Sequence, residues 1–213
     1  LVGALSTTQV GSLNTAGIGA LTTASVAALS TTQVGGLTAK QIAVLSTTNL
    51  AAMTTSQVGA LSNAQVIALT TAQVSTLNTT TLGALTTAQV GALEVADVAA
   101  LTTASMAALT TAQVRGLTAT QLAGLTTTQA NTLTTTLVGA LTATQVGSLS
   151  SAGVSVLTTT SVAALTTAQV GGLTAKQIAV LSTTQVAAMT TSQVASLNNA
   201  QIIALTTTQV STL

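Results

Sequence analysis

Side chains that could take part in chemistry are scarce in this sequence of 213 residues, which contains no His and no Cys. Most enzyme mechanisms need a titratable group poised near neutral pH, usually His, Cys, a carboxylate pair or a Lys. The composition therefore predicts that the chain is not an enzyme, with no catalytic residue and no cofactor-binding residue. The charged residues are Lys40, Glu94, Asp97, Arg115 and Lys176.

Glu94 and Asp97 are the only carboxylate side chains, and they stand three positions apart. Zinc and calcium sites in proteins draw on more ligands than this pair supplies, so the sequence predicts no metal site. A retaining glycosidase would need the two acids about 5 Å apart in a substrate cleft. At a helix start the acids lie near the positive end of the helix dipole, and we interpret them as capping residues.

The remaining charges also argue against two classes of partner. Lys40, Lys176 and Arg115 are interpreted as solvated surface residues, and a net charge of +1 gives no electrostatic footprint for nucleic acid. Thr, Ser or Gln interrupts every apolar stretch well short of the roughly 18 to 20 residues that a membrane helix needs. We predict neither nucleic-acid binding nor membrane insertion.

An eight-residue repeat runs through the sequence without a change of register. Any functional residues must therefore be positioned by this repeat. We number its positions slot one to slot eight, where slot one is Leu5 and every eighth residue to Leu213, replaced only at Met53 and Met189. Slot six is apolar in all 26 octads, and the average unit reads L-T-T-A-Q-V-G/A-A. Residues 1–213 are predicted to form one uninterrupted octad-repeat solenoid.

A longer super-repeat overlies the octads, so that residues 1–77 match residues 137–213. Within it, residues 29–77 and 165–213 are identical at 40 of 49 positions. The copy indicates duplication of a large block. Because the sequence starts at slot five and stops on a slot-one Leu, we expect it to be a window of a longer array.

Helix-start signals occur once in every octad. A single long helix is excluded because eight residues at about 100° each move successive Leu residues around the helix, so no apolar face persists. Slot two is Ser, Thr or Asn in 25 octads, with Glu94 as the exception, and slot five is Gln in 17. Together they form the S/T-x-x-Q capping box, and slots one and six then take the positions of the hydrophobic staple.

These signals predict an all-α solenoid of one-to-two-turn helices, one per octad. Slots one and six would lie inside, and slots two to five would lie largely outside. Gly, which occupies slot seven in nine octads, would end the helix in a left-handed conformation. The small residues of slots seven and eight would allow successive coils to approach closely.

A β-solenoid is the alternative fold, because Thr and Val also favour strands. Slot two would then report turn chemistry at the corners of the coil. In that fold the Thr columns would form a flat hydroxyl and methyl face, which is the type of surface that ice-binding proteins present.

The octad L-T-T-A-Q-V-G-A, found at residues 85–92 and nearly so at 109–114, resembles long arrays in very large secreted or surface proteins of Gram-negative bacteria. Those proteins are described as adhesin-like or haem-utilisation-like. The resemblance covers the whole chain and implies an extracellular location, secreted or on the cell surface. It supplies no binding residue, and no haem ligand is expected.

Three functional hypotheses follow from the composition and the resemblance. The first is a structural protein that forms a filament, sheath or matrix fibre, with further copies of itself as the partner. Low charge and identical units at a fixed pitch favour such homotypic contacts. The second is a rigid stalk or spacer of a large surface adhesin, and the third is an ice-binding β-solenoid.

Overall fold

The computed structural model describes residues 2–213, and the regular structure within them is helical throughout. A short 3₁₀-helix, Val2–Ala4, precedes 26 α-helices of four to six residues, one in each octad. No strand occurs in this part of the chain. The prediction of an all-α solenoid of short helices is therefore confirmed, and the β-solenoid alternative is wrong.

The chain divides into two compact units, the first ending at Leu109 and the second running from Thr110 to Leu213. Whether residues 1–213 form one uninterrupted solenoid stays a prediction. The first unit contains α1 (Thr7–Ser12), α2 (Thr15–Gly19), α3 (Thr23–Ala27), α4 (Thr31–Gly35), α5 (Ala39–Ala43), α6 (Thr47–Ala51), α7 (Thr55–Gly59), α8 (Asn63–Ile67), α9 (Thr71–Val74), α10 (Thr79–Gly83), α11 (Thr87–Ala92), α12 (Val95–Ala100) and α13 (Thr103–Ala107). The second contains α14 (Thr111–Gly116), α15 (Ala119–Ala123), α16 (Thr127–Asn131), α17 (Thr135–Ala140), α18 (Ala143–Ser148), α19 (Ser151–Ser155), α20 (Thr159–Ala163), α21 (Thr167–Gly172), α22 (Ala175–Ala179), α23 (Thr183–Ala187), α24 (Thr191–Ala195), α25 (Asn199–Ala204) and α26 (Thr207–Val210).

Within each unit, helices pack on the helix three positions further along the chain. In the first unit α1 packs on α4, α5 on α8 and α9 on α12, and in the second α14 packs on α17 and α22 on α25. Three octads therefore make one coil, and each octad lies over the third octad before it in the chain. Each coil contacts only its neighbours, which is the organisation of a solenoid.

Each helix starts where the sequence predicts, because the slot-two side chain accepts a hydrogen bond from the backbone N–H of slot five. Ser30 accepts from Gln33 in α4, for example, and Thr190 from Gln193 in α24. All 17 octads with Gln at slot five form the reciprocal capping box. Such a cap contributes about 1 kcal/mol, so helices of one to two turns each begin at a fixed residue.

The core of each unit is a thin column of slot-one and slot-six side chains. In α5 and the residues around it, Ile42 is fully buried, and Leu37 and Leu45 are buried beside it. Val170, Leu165 and their counterparts repeat this arrangement in the second unit. Slots one and six therefore lie inside, as the staple pattern predicts.

The prediction that slots two to five are largely exposed is wrong for slot five. Gln41, Gln57, Gln121 and Gln177 are each no more than 2% exposed. The correction has a chemical reason, since an amide carries both an acceptor and two donors and can satisfy backbone groups in two coils at once.

Slot seven also differs from its prediction, because no residue with positive φ occurs among residues 2–213. The helices end in right-handed or extended conformations, and the following slot-one N–H bonds back to the slot-six carbonyl, as Leu37 does to Val34 at 3.1 Å. Close approach explains Gly better at some positions. A Cβ on Gly147 would overlap the carbonyl oxygen of Gly172 in the next coil, and one on Gly11 would lie 2.8 Å from that of Gly36.

Candidate self-association surface

The exterior of each coil is formed mainly by slots two to four, at the first turn of every helix. In α14, for example, Thr110, Thr111 and Ala112 are exposed. The slot-two hydroxyls are already engaged in caps, which leaves the slot-three and slot-four side chains to present hydroxyl and methyl groups to the solvent. Such a surface is wettable, but only 2% of the residues in the chain are charged. It therefore exerts little long-range repulsion on a second copy.

Beneath this surface, the slot-five Gln side chains connect each coil to the one before it. The Gln41 Oε1 accepts from the backbone N–H of Thr38 at 2.7 Å. Its Nε2 donates to the carbonyl oxygens of Val10 at 3.0 Å, Gly11 at 3.2 Å and Leu13 at 2.7 Å. One side chain thus completes its own helix start and satisfies carbonyls at the end of the helix one coil earlier.

The same contacts recur along both units and fix the number of octads in a coil. Because the acceptors lie a fixed distance before the Gln in the chain, a coil of any other length would separate donor from acceptor. We call this set of contacts the glutamine ladder. Its members include Gln33, Gln41, Gln57, Gln65, Gln73 and Gln89 in the first unit, and Gln145, Gln169, Gln177, Gln185, Gln193, Gln201 and Gln209 in the second.

Large apolar side chains are exposed as pairs at two equivalent places, and singly at Val95 and in the last coil at Ile202, Val210 and Leu213. Val44, directly after α5, is 40% exposed, and Ile67, at the end of α8, is 50% exposed. The copy in the second unit consists of Val180 after α22, 40% exposed, and Ile203 at the end of the stacked helix α25. Since α5 packs on α8 and α22 on α25, the two members of each pair lie in stacked octads. We call these pairs the Val44–Ile67 patch and the Val180–Ile203 patch.

The basic residues lie on the surface, in agreement with their interpretation as solvated positions. Lys40 lies in α5 and Lys176 in α22, so each patch has a Lys on one of its two helices. Arg115 is exposed in α14, and its Nε donates to the carbonyl oxygen of Ala140 in the next coil at 2.9 Å. The guanidinium therefore supplies one of the contacts between coils in the second unit.

The acidic residues occupy the octad that contains α12, and their interpretation as capping residues needs a correction. Glu94 is the N-cap residue, but its side chain makes no capping hydrogen bond. Asp97 lies in the first turn and is only 1% exposed. A Glu side chain is longer than that of Ser or Thr, and the other 25 helices, whose N-caps are Ser, Thr or Asn, have the side-chain cap that α12 lacks.

The structure brings no group of three His, Cys, Asp or Glu side chains together within residues 2–213. Shallow depressions lie around Asn131, lined by hydroxyl residues such as Thr134 and Thr158 and by no charged side chain. No helix in the described part of the chain has both the length and the apolar run needed to cross a bilayer.

Two features of this surface were not predicted from the sequence. The double role of the slot-five Gln depends on the coil length, which the octads alone do not reveal. The patches, in contrast, had a signal in the sequence, since Val44 and Ile67 are large residues in slots that are mostly small, and both recur in the second copy of the block as Val180 and Ile203.

Comparison with known families confirms that the chain is an array of octad repeats. The model of the ALTTAQ repeat matches residues 2–31, 18–47, 40–71, 66–103, 98–135 and 162–191, which is more than half of the chain. The chain therefore belongs to the ALTTAQ repeat family. No curated protein matches it significantly.

Proposed function

We propose that this chain is a structural component of an extracellular filament, sheath or matrix fibre and that it associates with copies of itself. The observation that carries the proposal is the repeated exposure of an apolar pair on an almost uncharged surface, at Val44–Ile67 and again at Val180–Ile203. Each unit carries one such patch, so one chain offers two contact sites to other copies. Weak contacts that are made together gain affinity through their high effective concentration.

The composition supports a structural rather than a catalytic role for this chain. Val, Leu, Ala, Thr and Gln fill the repeat, and slots one, two, five and six have packing or hydrogen-bonding roles in the coil. The extracellular location rests on the resemblance of the octads to arrays in large secreted and surface proteins of bacteria. Charge has little part in the proposed contacts, so we expect the association to depend only weakly on salt.

A charge placed on the patches tests the proposal directly. We expect the wild-type chain to form oligomers or fibres at micromolar concentration, in both low and high salt, when followed by analytical ultracentrifugation and electron microscopy. The double variant Val44→Glu with Val180→Glu is expected to remain monomeric, because each patch would carry a carboxylate that must be desolvated on contact.

The matched control is Ser56→Glu with Ser192→Glu, which adds the same charge at two exposed slot-four residues away from the patches. This variant is expected to associate as the wild type does, and circular dichroism establishes that all three proteins are folded. A monodisperse wild-type chain in both salt conditions contradicts self-association. Equal loss of association in both variants would show that general charge, and not the patches, controls it.

A rigid stalk or spacer of a surface adhesin is the second candidate, and the glutamine ladder is the observation that favours it. Buried hydrogen bonds such as those of Gln41 and Gln193 tie each coil to the preceding one, which resists bending between coils. Small-angle scattering distinguishes the candidates, since a spacer is expected to remain monomeric and extended. Because the structure is helical, ice binding has lost the flat β-face on which that hypothesis depended.

A further inference from the structure

One buried carboxylate oxygen in the first unit has no hydrogen-bond partner. Asp97 is 1% exposed, and its Oδ1 accepts from the hydroxyl of Thr71 at 2.9 Å. Its Oδ2 is buried and makes no hydrogen bond. Burying an ionised carboxylate is costly unless the group is paired or coordinates a metal. The groups around Oδ2 therefore indicate what kind of partner this oxygen would bind.

The register of the coils indicates what lies opposite Asp97. Asn49, which has a side chain of the same length at the same slot, donates from Nδ2 to the carbonyl oxygen of Leu21 at 2.7 Å. The equivalent acceptor for Asp97 is the carbonyl of Leu69, in the coil of α9, on which α12 packs. No donor within residues 2–213 reaches the Leu69 carbonyl oxygen. By this register, Asp97 presents a carboxylate at the slot where Asn49 presents an N–H group to the preceding coil.

The register of the coils assigns further backbone oxygen atoms to the same region. In the ladder, three carbonyl oxygens lie within 3.2 Å of the Gln41 Nε2, and their counterparts before Asp97 belong to Val66, Ile67 and Leu69. Glu94 begins the same octad, and its side chain is exposed and free of any capping bond. Both carboxylate side chains of the whole chain therefore occur in the one octad that faces these carbonyls.

We propose that this octad binds a hard divalent cation, with calcium as the best match. Asp97 Oδ2 and the Leu69 carbonyl oxygen would be the primary ligands, with the carbonyls of Val66 and Ile67 and the carboxylate of Glu94 completing an all-oxygen set. Calcium accepts carboxylate and carbonyl oxygens in flexible numbers, whereas magnesium demands a near-ideal octahedron. The sequence predicts no metal site because it shows only two carboxylates, and the fold adds the backbone carbonyls.

Binding of ⁴⁵Ca²⁺ to the full chain in flow dialysis tests the proposal, together with thermal unfolding followed by circular dichroism. We expect one Ca²⁺ per wild-type chain, with a dissociation constant on the order of 0.1 to 1 mM as in extracellular modules. Calcium is expected to raise the midpoint of unfolding, because a ligand that binds only the folded state stabilises it. Magnesium, sodium and potassium at equal ionic strength are expected to have a smaller effect.

Asp97→Asn is the decisive variant, since it reproduces the side chain of Asn49 and is expected to fold at least as well as the wild type. It should lose the bound Ca²⁺ and the calcium-dependent shift, and Glu94→Gln should weaken binding several-fold. Absence of binding to the wild type, or equal binding to Asp97→Asn, overturns the proposal. Sedimentation of the same samples with and without Ca²⁺ keeps the result independent of self-association.

Discussion

The two copies of the duplicated block differ at one informative slot-five residue. Asn49 in the first copy corresponds to Gln185 in the second. The Asn49 Nδ2 donates to a single carbonyl, that of Leu21, and α6 has no capping box. The Gln185 Oε1 accepts from the Ser182 N–H at 2.8 Å, and its Nε2 donates to Leu157 at 2.7 Å, with longer contacts to two further carbonyls.

This difference shows what one methylene group adds in a coil of three octads. The shorter amide reaches the preceding coil but leaves the N–H of its own N-cap residue without the side-chain acceptor. The longer amide completes both. Side-chain length therefore determines how many backbone groups a slot-five residue can satisfy, and Gln is the neutral residue with the required length and both functions.

Loss of the amide at Gln185 is expected to have the largest effect. Gln185→Leu keeps the approximate volume but leaves the Ser182 N–H and the Leu157 carbonyl without their partner. The buried Leu157 carbonyl costs about 1 to 3 kcal/mol when unsatisfied and the part-buried cap bond contributes about 1 kcal/mol, so we expect a loss of roughly 2 to 4 kcal/mol in the free energy of unfolding. Urea unfolding followed by circular dichroism measures it, since the chain has no Trp or Tyr for fluorescence.

Gln9→Leu is the control for this prediction. Gln9 is exposed in the first coil and accepts from the Ser6 N–H at 2.8 Å, without a cross-coil bond among the described residues. Its loss should cost about 1 kcal/mol, as for an ordinary cap. Equal effects at Gln9 and Gln185 would mean that the cross-coil bonds contribute nothing.

The block copies also differ in what surrounds an equivalent glycine at slot eight. A Cβ on Gly172 would overlap the backbone oxygen of Ala143, whereas one on Gly36 would overlap the side-chain methyl of Thr7. We expect Gly172→Ala to cost about 1 to 3 kcal/mol, as overpacking does. The clash at Gly36 is removable, because Thr7→Ala deletes the methyl group that causes it.

The double variant Gly36→Ala with Thr7→Ala should therefore be no less stable than Thr7→Ala alone. Replacing a right-handed Gly by Ala contributes about 0.4 to 1 kcal/mol through the unfolded chain when the site has room. Comparison of the urea midpoints decides between the two environments. A similar rescue of Gly172→Ala by Ala143→Gly would show that the Ala143 Cβ, and not its backbone, is responsible.

The starts of the helices and the core could be predicted from the sequence because their causes are local. A cap residue such as Thr38 and its Gln41 are three positions apart, and the staple residues Leu37 and Ile42 are five apart. These interactions lie within one octad and repeat in every octad. The same local rules predict which slots pack inside.

The burial of Gln41 could not be predicted because its acceptors, Val10, Gly11 and Leu13, lie one coil earlier in the chain. Their separation from Gln41 depends on three octads per coil, a number that no single octad contains. The prediction of a left-handed conformation at slot seven was wrong for a related reason. The carbonyls that a left-handed Gly would serve are bonded instead by the Gln one coil later and by the following slot-one N–H.

Exchange of the amide residues at positions 49 and 185 is expected to change the free energy of unfolding by an intermediate amount. Asn49→Gln should add the capping bond to the Ser46 N–H and raise the free energy of unfolding by about 0.5 to 2 kcal/mol. The reverse change, Gln185→Asn, should lower it by a similar amount and retain the bond to Leu157. Opposite signs at the two sites support the length argument, whereas a loss at both would show that neighbouring residues have adapted to each amide.

Truncation of the two lysines is expected to have the smallest effect on stability. It tests whether a charged contact is shared by the two copies of the block. Lys40 and Lys176 are exposed at the same slot of α5 and α22. Each lies shortly before a patch residue in the chain, Val44 or Val180. Exposed side chains without buried partners usually change stability by less than about 0.5 kcal/mol when truncated. We expect Lys40→Ala with Lys176→Ala to leave the urea midpoint unchanged and to preserve association, measured by sedimentation at low and high salt. If this variant instead loses association at low salt alone, the lysines attract an anionic group on the neighbouring copy. The contact between copies would then be electrostatic as well as apolar.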